Sequence, residues 1–281
     1  MRKEGETEPL LHEIVTNGDV EVFILAGGKG SKLRNSDKLE LQNTPKILVV
    51  INTHRGRITM LDNVILGLVE GGFCEITLLT SNDPEAYGDL IESHTLRAYP
   101  DLSINFSRED RPLGTAGAVY KAFSNKPGET AIITPSDTLF PFGVLQNVLS
   151  EHKKKQSELT WLVTTNPGLN AQNTGRILVN PKNGVIFHAL EGEEISVDQV
   201  IEQNQHLLPT TSVGVIIANR DFYVSKYEEF LNHHTVNSVV DLYRHFIPWL
   251  VLRGETVYSY DIRQPAPDLG TPDRLEQFGW R

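Results

Sequence analysis

The chain has 281 residues, 39% hydrophobic and 22% charged, the balance of an ordinary folded globule rather than a disordered chain. Twenty-six Lys and Arg against 36 Asp and Glu leave a formal charge of −10, which argues against a nucleic-acid partner, because surfaces that grip phosphate backbones are basic. The single cysteine, Cys74, excludes an internal disulfide and disfavours a thiolate zinc site. No run approaches the roughly 18 apolar residues of a membrane span, and residues 1–15 lack the apolar stretch of a signal peptide. A cytoplasmic location with no membrane partner is therefore expected.

Val22, Phe23, Ile24, Leu25 and Ala26 make an apolar run too short for a helix and stopped by Gly27-Gly28, so residues 22–26 are predicted to form a buried strand. Met60, Leu61, Val64, Ile65, Leu68 and Val69 recur at helical spacing before Gly71-Gly72. Strands follow at 76–80, 104–106 and 131–134, with helices at 84–98 and 115–123 between them. This alternation predicts an α/β fold whose mostly parallel sheet is covered on both faces. The second half is richer in strands, at 160–164, 177–179, 185–189, 212–217 and 257–260, with helices at 221–231 and 238–251. No Pro-, Gly- or Ser-rich linker divides the chain. One unit is expected, with an N-terminal extension at 1–20, a nucleotide-binding half at 21–150 and an acceptor-binding half at 151–281.

The segment from Leu25 to Leu33, LAGGKGSKL, directly follows the first strand. Its glycines can take positive φ and turn several N–H groups toward one anion. It is not a dinucleotide fingerprint, because Leu33 stands where a third glycine belongs, nor a Walker loop, because no Gly-Lys-Ser/Thr occurs. An ordinary glycine turn is the alternative. Lys29, Lys32, Arg34, Lys38 and Lys46 crowd the next residues of an otherwise acidic chain. They would suit a triphosphate, or form a solvated loop.

Leu25 to Leu33 followed by Pro45-Lys46 resembles the opening of the sugar-phosphate nucleotidylyltransferases, L-A-G-G-x-G-[ST]-R-L…P-K. Arg111 to Gly117 is similar to that family's P-L-G-T-A-G segment, Ser136-Asp137-Thr138-Leu139 to its G-D-x-L motif, and Asp268 to Pro272 to its D-x-G-T-P motif. Four motifs in order span residues 22–275. The resemblance implies a Rossmann-like three-layer fold with a mostly parallel mixed central sheet and a strand-rich acceptor-binding half. It implies transfer of a nucleotidyl group from a nucleoside triphosphate to a sugar 1-phosphate, with release of pyrophosphate. By the same resemblance Leu25, Ala26, Gly27, Gly28, Gly30 and Ser31 approach the nucleotide, with Pro112, Gly114, Thr115 and Ala116 at the base. Lys32, Lys46 and Asp137 are catalytic, Asp137 and Asp268 hold Mg²⁺ or Mn²⁺, and Gly175, Glu191 and Gly214 meet the sugar phosphate.

The chain departs from the family pattern at Lys32, where an arginine is usual, and in a longer loop between Leu33 and Pro45. It also has Glu191-Gly192 for Glu-Lys and Ser212-Val213-Gly214 for Asn-Ala-Gly. The altered acceptor half suggests a specialised heptose, deoxysugar or cyclitol phosphate, with Arg176 or Lys226 supplying the missing cation. The small residues Gly114, Ala116 and Gly117 suggest room for a purine, GTP foremost. Without the resemblance, Asp137 is a strand-end acid and Asp268 a helix N-cap before Thr271-Pro272. The competing classes are a catalytically weak nucleotide-sugar sensor and a metal-dependent glycosyltransferase, the latter opposed by Leu139 where D-x-D would need an acid. Oligomeric state is not set by the sequence, and a homo-oligomer stays open.

Overall fold

In strand β1 (Val20–Leu25) every side chain but the last is buried, and successive residues serve opposite faces of the sheet. Val20, Val22 and Ile24 pack into one apolar cluster, Phe23 into another. The computed structural model describes residues 20–28, 33, 41–42, 44–80, 99–125, 129–168, 175–190, 197–234 and 239–278. The predicted helix at 84–98 lies outside them.

A hairpin of β2 (Val50–Thr53) and β3 (Gly56–Thr59) leads into helix α1 (Met60–Glu70), which Thr59 caps by accepting the Asp62 N–H at 3.0 Å. Then come β4 (Glu75–Thr80), β5 (Ser103–Arg108), α2 (Gly114–Asn125), β6 (Thr130–Pro135) and α3 (Leu145–Lys154). The second half contributes β7 (Leu159–Thr164), β8 (Arg176–Val179), β9 (Ile186–Ala189), α4 (Val197–Gln203) and the twelve-residue β10 (Leu208–Asn219). It ends with α5 (Arg220–His233), α6 (Ile247–Leu252), β11 (Tyr258–Asp261) and α7 (Pro272–Gln277).

Among the described residues nine strands form one mixed sheet, with main order β11-β7-β10-β6-β1-β4-β5 and β8 and β9 attached through β10. β6, β1, β4 and β5 are mutually parallel, while β10 runs antiparallel to β6, β7 and β8. α1 and α3 cover one face through Leu61, Val64, Ile65, Leu68, Leu145 and Leu149. α2, α5 and α6 cover the other through Val119, Phe123, Tyr223, Phe230 and Leu250. This is the three-layer α/β arrangement expected, and its central parallel strands β1, β4 and β6 are buried on both faces.

Two local readings are corrected. The single helix expected at 238–251 is instead extended backbone at Val239–Asp241, a wide π turn at Leu242–Phe246 and the short α6. Asp241 starts the turn, its Oδ1 accepting the N–H of Tyr243 and Arg244, both at 2.9 Å. Pro248, in the first turn of α6, has no N–H to continue the earlier ladder. Asp268 is not a helix cap, because α7 begins at Pro272 with Thr271 as its N-cap. The hairpin β2–β3 had no counterpart in the periodic reading.

α1 also carries a glycine that makes room for the acidic loop after β6. A Cβ on Gly67 would lie 2.2 Å from the Phe142 ring, which packs on Phe140 at 4.1 Å between centroids. Gly67→Ala should therefore destabilise the fold by about 1–3 kcal/mol, as overpacking does. Helix propensity alone would favour alanine by about 1 kcal/mol. Denaturant unfolding decides between them, and a gain in stability would contradict the packing.

Candidate active site

β1 lies between β4 and β6, with Leu25 opposite Leu79 on one side and Pro135 on the other. The chain lays down β4 and β5 on one side of β1 before returning to place β6 on the other. The carboxyl ends of β1 and β6 thus form a topological switch point, where a crevice opens. A cleft of about 410 Å³ occupies that position. Of the residues singled out in the sequence, Leu25, Gly27, Gly28, Lys46 and Asp137 line its one side, and Pro112, Gly114 and Thr115 the other. Among the described residues a Cβ on Gly28 would meet nothing within 4 Å. Ala26 and Ala116 are buried behind the wall. A larger cavity of about 710 Å³ beside the β2–β3 hairpin contains none of the predicted site residues.

The two acids are joined by backbone. Thr138 and Asp268 form an isolated antiparallel bridge. Around it the Leu269 N–H donates to the Asp137 carbonyl at 2.8 Å, and the Leu139 N–H to the Pro267 carbonyl at 2.9 Å. Leu269 is fully buried in a satellite core with Leu33, Leu41, Met60 and Leu275. The leucine ending the first motif and the leucine inside the last one therefore pack into the same cluster.

Each carboxylate has a cation. Lys46, in the short 3-10 turn at Lys46–Leu48, pairs with Asp137, and Arg274, on α7, pairs with Asp268. Asp268 Oδ1 also accepts the Gly270 N–H at 2.6 Å. Burial works against charge on Asp137, yet the Lys46 ammonium outweighs it and holds its carboxyl below the ordinary range. Burial and the neighbouring Asp137 charge push Asp268 up. Burial lowers the Lys46 ammonium, but Asp137 and then Asp268 more than offset this and raise it. A Cβ on Gly270 would sit 2.8 Å from Asp268 Oδ1, 2.9 Å from Lys46 Nζ and 3.0 Å from Asp137 Oδ2. Only glycine leaves that space clear.

The loop before α2 is shaped by its neighbours rather than by the cleft. Gly114 has φ +77°, and a Cβ there would lie 2.4 Å from the Val240 carbonyl oxygen. A Cβ on Gly117 would lie 2.6 Å from the Leu113 Cβ and 2.9 Å from the Tyr227 hydroxyl. Ala116 is fully buried, and its carbonyl accepts the Tyr223 hydroxyl at 3.0 Å. Close packing against Val240, Leu113 and Tyr227 thus requires these small side chains, and Gly114 at the same time lines the cleft.

In the acceptor half, the Ser212 N–H donates to the Gly175 carbonyl at 3.0 Å. The Ser212 hydroxyl accepts the Trp161 indole N–H and the Gly214 N–H, both at 3.1 Å. Arg176 is half-buried and donates to Thr211 Oγ1 at 3.0 Å. Lys226 pairs with Glu229 and Glu255 instead of lining the cleft. Gly30, Ser31, Lys32 and Glu191 lie outside the described residues. The sequence reading did not single out Arg274, Glu109, Asp241 or Tyr243, the last three of which line the cleft. A lone acid, arginine or tyrosine carries no spacing signal that would have found them.

If Arg274 is the counter-ion of Asp268, Arg274→Met should cost about 1–3 kcal/mol, the penalty for a partly buried charge that loses its partner. Asp268→Asn in the same chain should recover part of that loss. Denaturant unfolding of both single variants and the double variant measures the coupling, and strictly additive losses would contradict the pairing.

The profile of the Nucleotidyl transferase family matches residues 21–202. D-glycero-alpha-D-manno-heptose 1-phosphate guanylyltransferase of Aneurinibacillus thermoaerophilus is 26% identical over 204 residues, covering 73% of this chain and 76% of that protein. Bifunctional protein GlmU of Staphylococcus epidermidis is 24% identical over 213 residues, 75% of this chain but only 41% of the relative. In fold, the chain is similar to a crystal structure assigned as a glucose-1-phosphate thymidylyltransferase from Bacillus anthracis, with TM-score 0.69, 17% identity and coverage of 92% and 93%. It is also similar to HddC from Yersinia pseudotuberculosis complexed with GMP-PN, with TM-score 0.66, 17% identity and coverage of 92% and 96%. The matched profile covers most of the chain and includes three of the four motifs that build the cleft, so the chain belongs to the nucleotidyl transferase family, as a sugar-phosphate nucleotidylyltransferase.

Proposed function

We propose that the protein joins the nucleotidyl group of GTP to a specialised sugar or sugar-like 1-phosphate, releasing pyrophosphate. The observation that carries this reading is the convergence in one cleft of a glycine turn, the Lys46–Asp137 pair and the Pro112–Thr115 loop. An oxygen of the acceptor phosphate attacks the α-phosphorus in line, and pyrophosphate leaves opposite. No enzyme nucleophile is needed, so positioning and charge neutralisation carry the rate. The Gly27 and Gly28 backbone lies where phosphates must pass, and the Lys46 ammonium is poised to share its charge between Asp137 and a phosphate oxygen.

Asp137 and Asp268 fit a hard divalent ion. Mg²⁺ is commonly held by one or two carboxylates plus substrate phosphates, and among the described residues no group of three or more acidic, His or Cys side chains could complete a site on its own. Mg²⁺ or Mn²⁺, when bound, would neutralise charge gathering on the α-phosphate. Until then Lys46 favours the charged form of Asp137, and Arg274 holds Asp268 in place.

GTP is favoured by Glu109. It follows β5, lines the cleft beside Pro112, and is half-buried, with burial raising its carboxyl while the Leu113 N–H and Lys121 pull the other way. A carboxylate is an acceptor with two oxygens. Guanine alone among the four bases presents two adjacent donors, N1–H and N2–H, along its pairing edge. The similarity to a heptose 1-phosphate guanylyltransferase points the same way and supports a heptose phosphate as the first acceptor to try.

Pyrophosphate release with four triphosphates against glucose, mannose, heptose and cyclitol phosphates tests the reading. GTP with a non-glucose acceptor should dominate, and a clear UTP or CTP preference would refute it. Asp137→Ala and Asp268→Ala should each abolish metal-dependent turnover in a folded protein, and near-normal turnover in either would remove the metal assignment. Glu109→Gln, which offers one acceptor and one unwanted donor, should lower kcat/KM for GTP about tenfold or more, the cost of one mispaired buried polar group. The ATP rate should hold, and an equal fall for both nucleotides would show that Glu109 does not read the base.

A further inference from the structure

Residues 239–243 touch both halves of the cleft. On the nucleotide side they are laced to the loop before α2 and to its first turn. The Val240 N–H donates to the Leu113 carbonyl and the Ala116 N–H to the Val240 carbonyl, both at 3.0 Å. The Leu242 N–H donates to the Thr115 hydroxyl at 2.7 Å. Gly114 lies so close to Val240 that no larger residue fits between them. On the acceptor side the Tyr243 hydroxyl donates to the Gly214 carbonyl. Gly214 has φ +81° and lies where the pairing of β10 with β7 slips between Ser212 and Ile216. Such bulges beside clefts re-aim the backbone, and here the Ser212 hydroxyl and the Tyr243 ring, 5.8 Å from Trp161, brace it.

The segment thus has one hydrogen-bonded end on the loop that meets the nucleotide and another on the bulge of the acceptor half. Asp241 fixes the angle between them by capping the turn from which Tyr243 projects. Asp241 and Tyr243 also line the cleft itself, so an occupant bears on the strap directly.

We infer that residues 239–243 form a strap coupling nucleotide binding to acceptor alignment, with Tyr243 as the positioning residue whose hydroxyl sets the Gly214 carbonyl. The inference rests on the reading that the cleft takes a triphosphate and that Gly214 borders the acceptor. A nucleotide that presses on the loop at 113–116 then orders the bulge at 212–216, and the acceptor meets a formed site only when the donor is present.

Tyr243→Phe removes the hydroxyl and keeps the ring. Hydrogen exchange on the full chain, with Mg²⁺ and each of the four triphosphates in turn, reads both ends of the strap. In the wild type a bound triphosphate should slow exchange at 113–117 and also at 212–216. In Tyr243→Phe the first protection should persist and the second weaken about fivefold or more, the usual size of coupling between sites. In turnover, the variant's KM for the sugar phosphate should rise by a similar factor, while its affinity for the triphosphate alone, measured without acceptor, stays within about twofold, because a lost coupling shows only when both ligands are present. Equal protection of 212–216 in both proteins would overturn the inference, as would an equal loss of binary triphosphate affinity with a lowered melting point. If no triphosphate protects 113–117 even in the wild type, the nucleotidyl-transfer reading fails and the strap's role falls with it.

Discussion

Two carboxylates that would repel one another are held at one point by a backbone bridge between Thr138 and Asp268. Like charges about 4 Å apart repel by about 4 kcal/mol at the effective dielectric of a protein surface, so the arrangement needs compensation. Lys46 and Arg274 provide it, one on each acid, and Gly270 leaves the space between them clear of side chain. The opposed shifts of the pair follow: the Lys46 ammonium holds Asp137 down against its burial, while burial and the Asp137 charge push Asp268 up although both cations pull it the other way. The rest of the site is built outward from the bridge.

The satellite core explains how distant motifs come to share that point. Leu33 and Leu41 come from the glycine-loop region, Met60 opens α1, and Leu269 and Leu275 flank the second acid. Burying each such side chain contributes about 1.5–3 kcal/mol, enough to hold the last segment of the chain against the first. The other wall is tied differently, by backbone bonds between the Leu113–Ala116 loop and the Val240 strand-like segment. One side of the cleft is thus fastened by apolar packing and the other by hydrogen bonds.

Much of this was legible in sequence because it is local. A five-residue apolar run stopped by two glycines marked β1, and the 3.6-residue spacing of Met60 to Val69 marked α1. Residues from three of the motifs line one cleft. What failed was non-local. Val239 and Val240 fit a helical pattern with the residues after them, but the N–H and C=O of Val240 are claimed by Leu113 and Ala116, far earlier in the chain. The partnership of Asp137 with Asp268 has no spacing signal, since it depends on the bridge between Thr138 and Asp268, which lie far apart in the chain. Arg274 was invisible for the same reason. The glycines of the Leu113–Gly117 segment were recognised, but their packing against Val240 and Tyr227 was not, because those neighbours lie far away in the chain.

The central claim is that the bridged acids, with their two cations, form the point at which a triphosphate and a divalent ion meet. A crystal structure with Mn²⁺ and a non-hydrolysable GTP analogue tests it most directly, because the anomalous signal of Mn²⁺ locates the ion independently of any kinetic assay. The account predicts one ion bound by carboxylate oxygens of both Asp137 and Asp268 and by an oxygen of the nucleotide phosphates, at about 2.0–2.2 Å as for hard octahedral ions. An ion held by the phosphates alone, with Lys46 and Arg274 still closed on their acids, would contradict it.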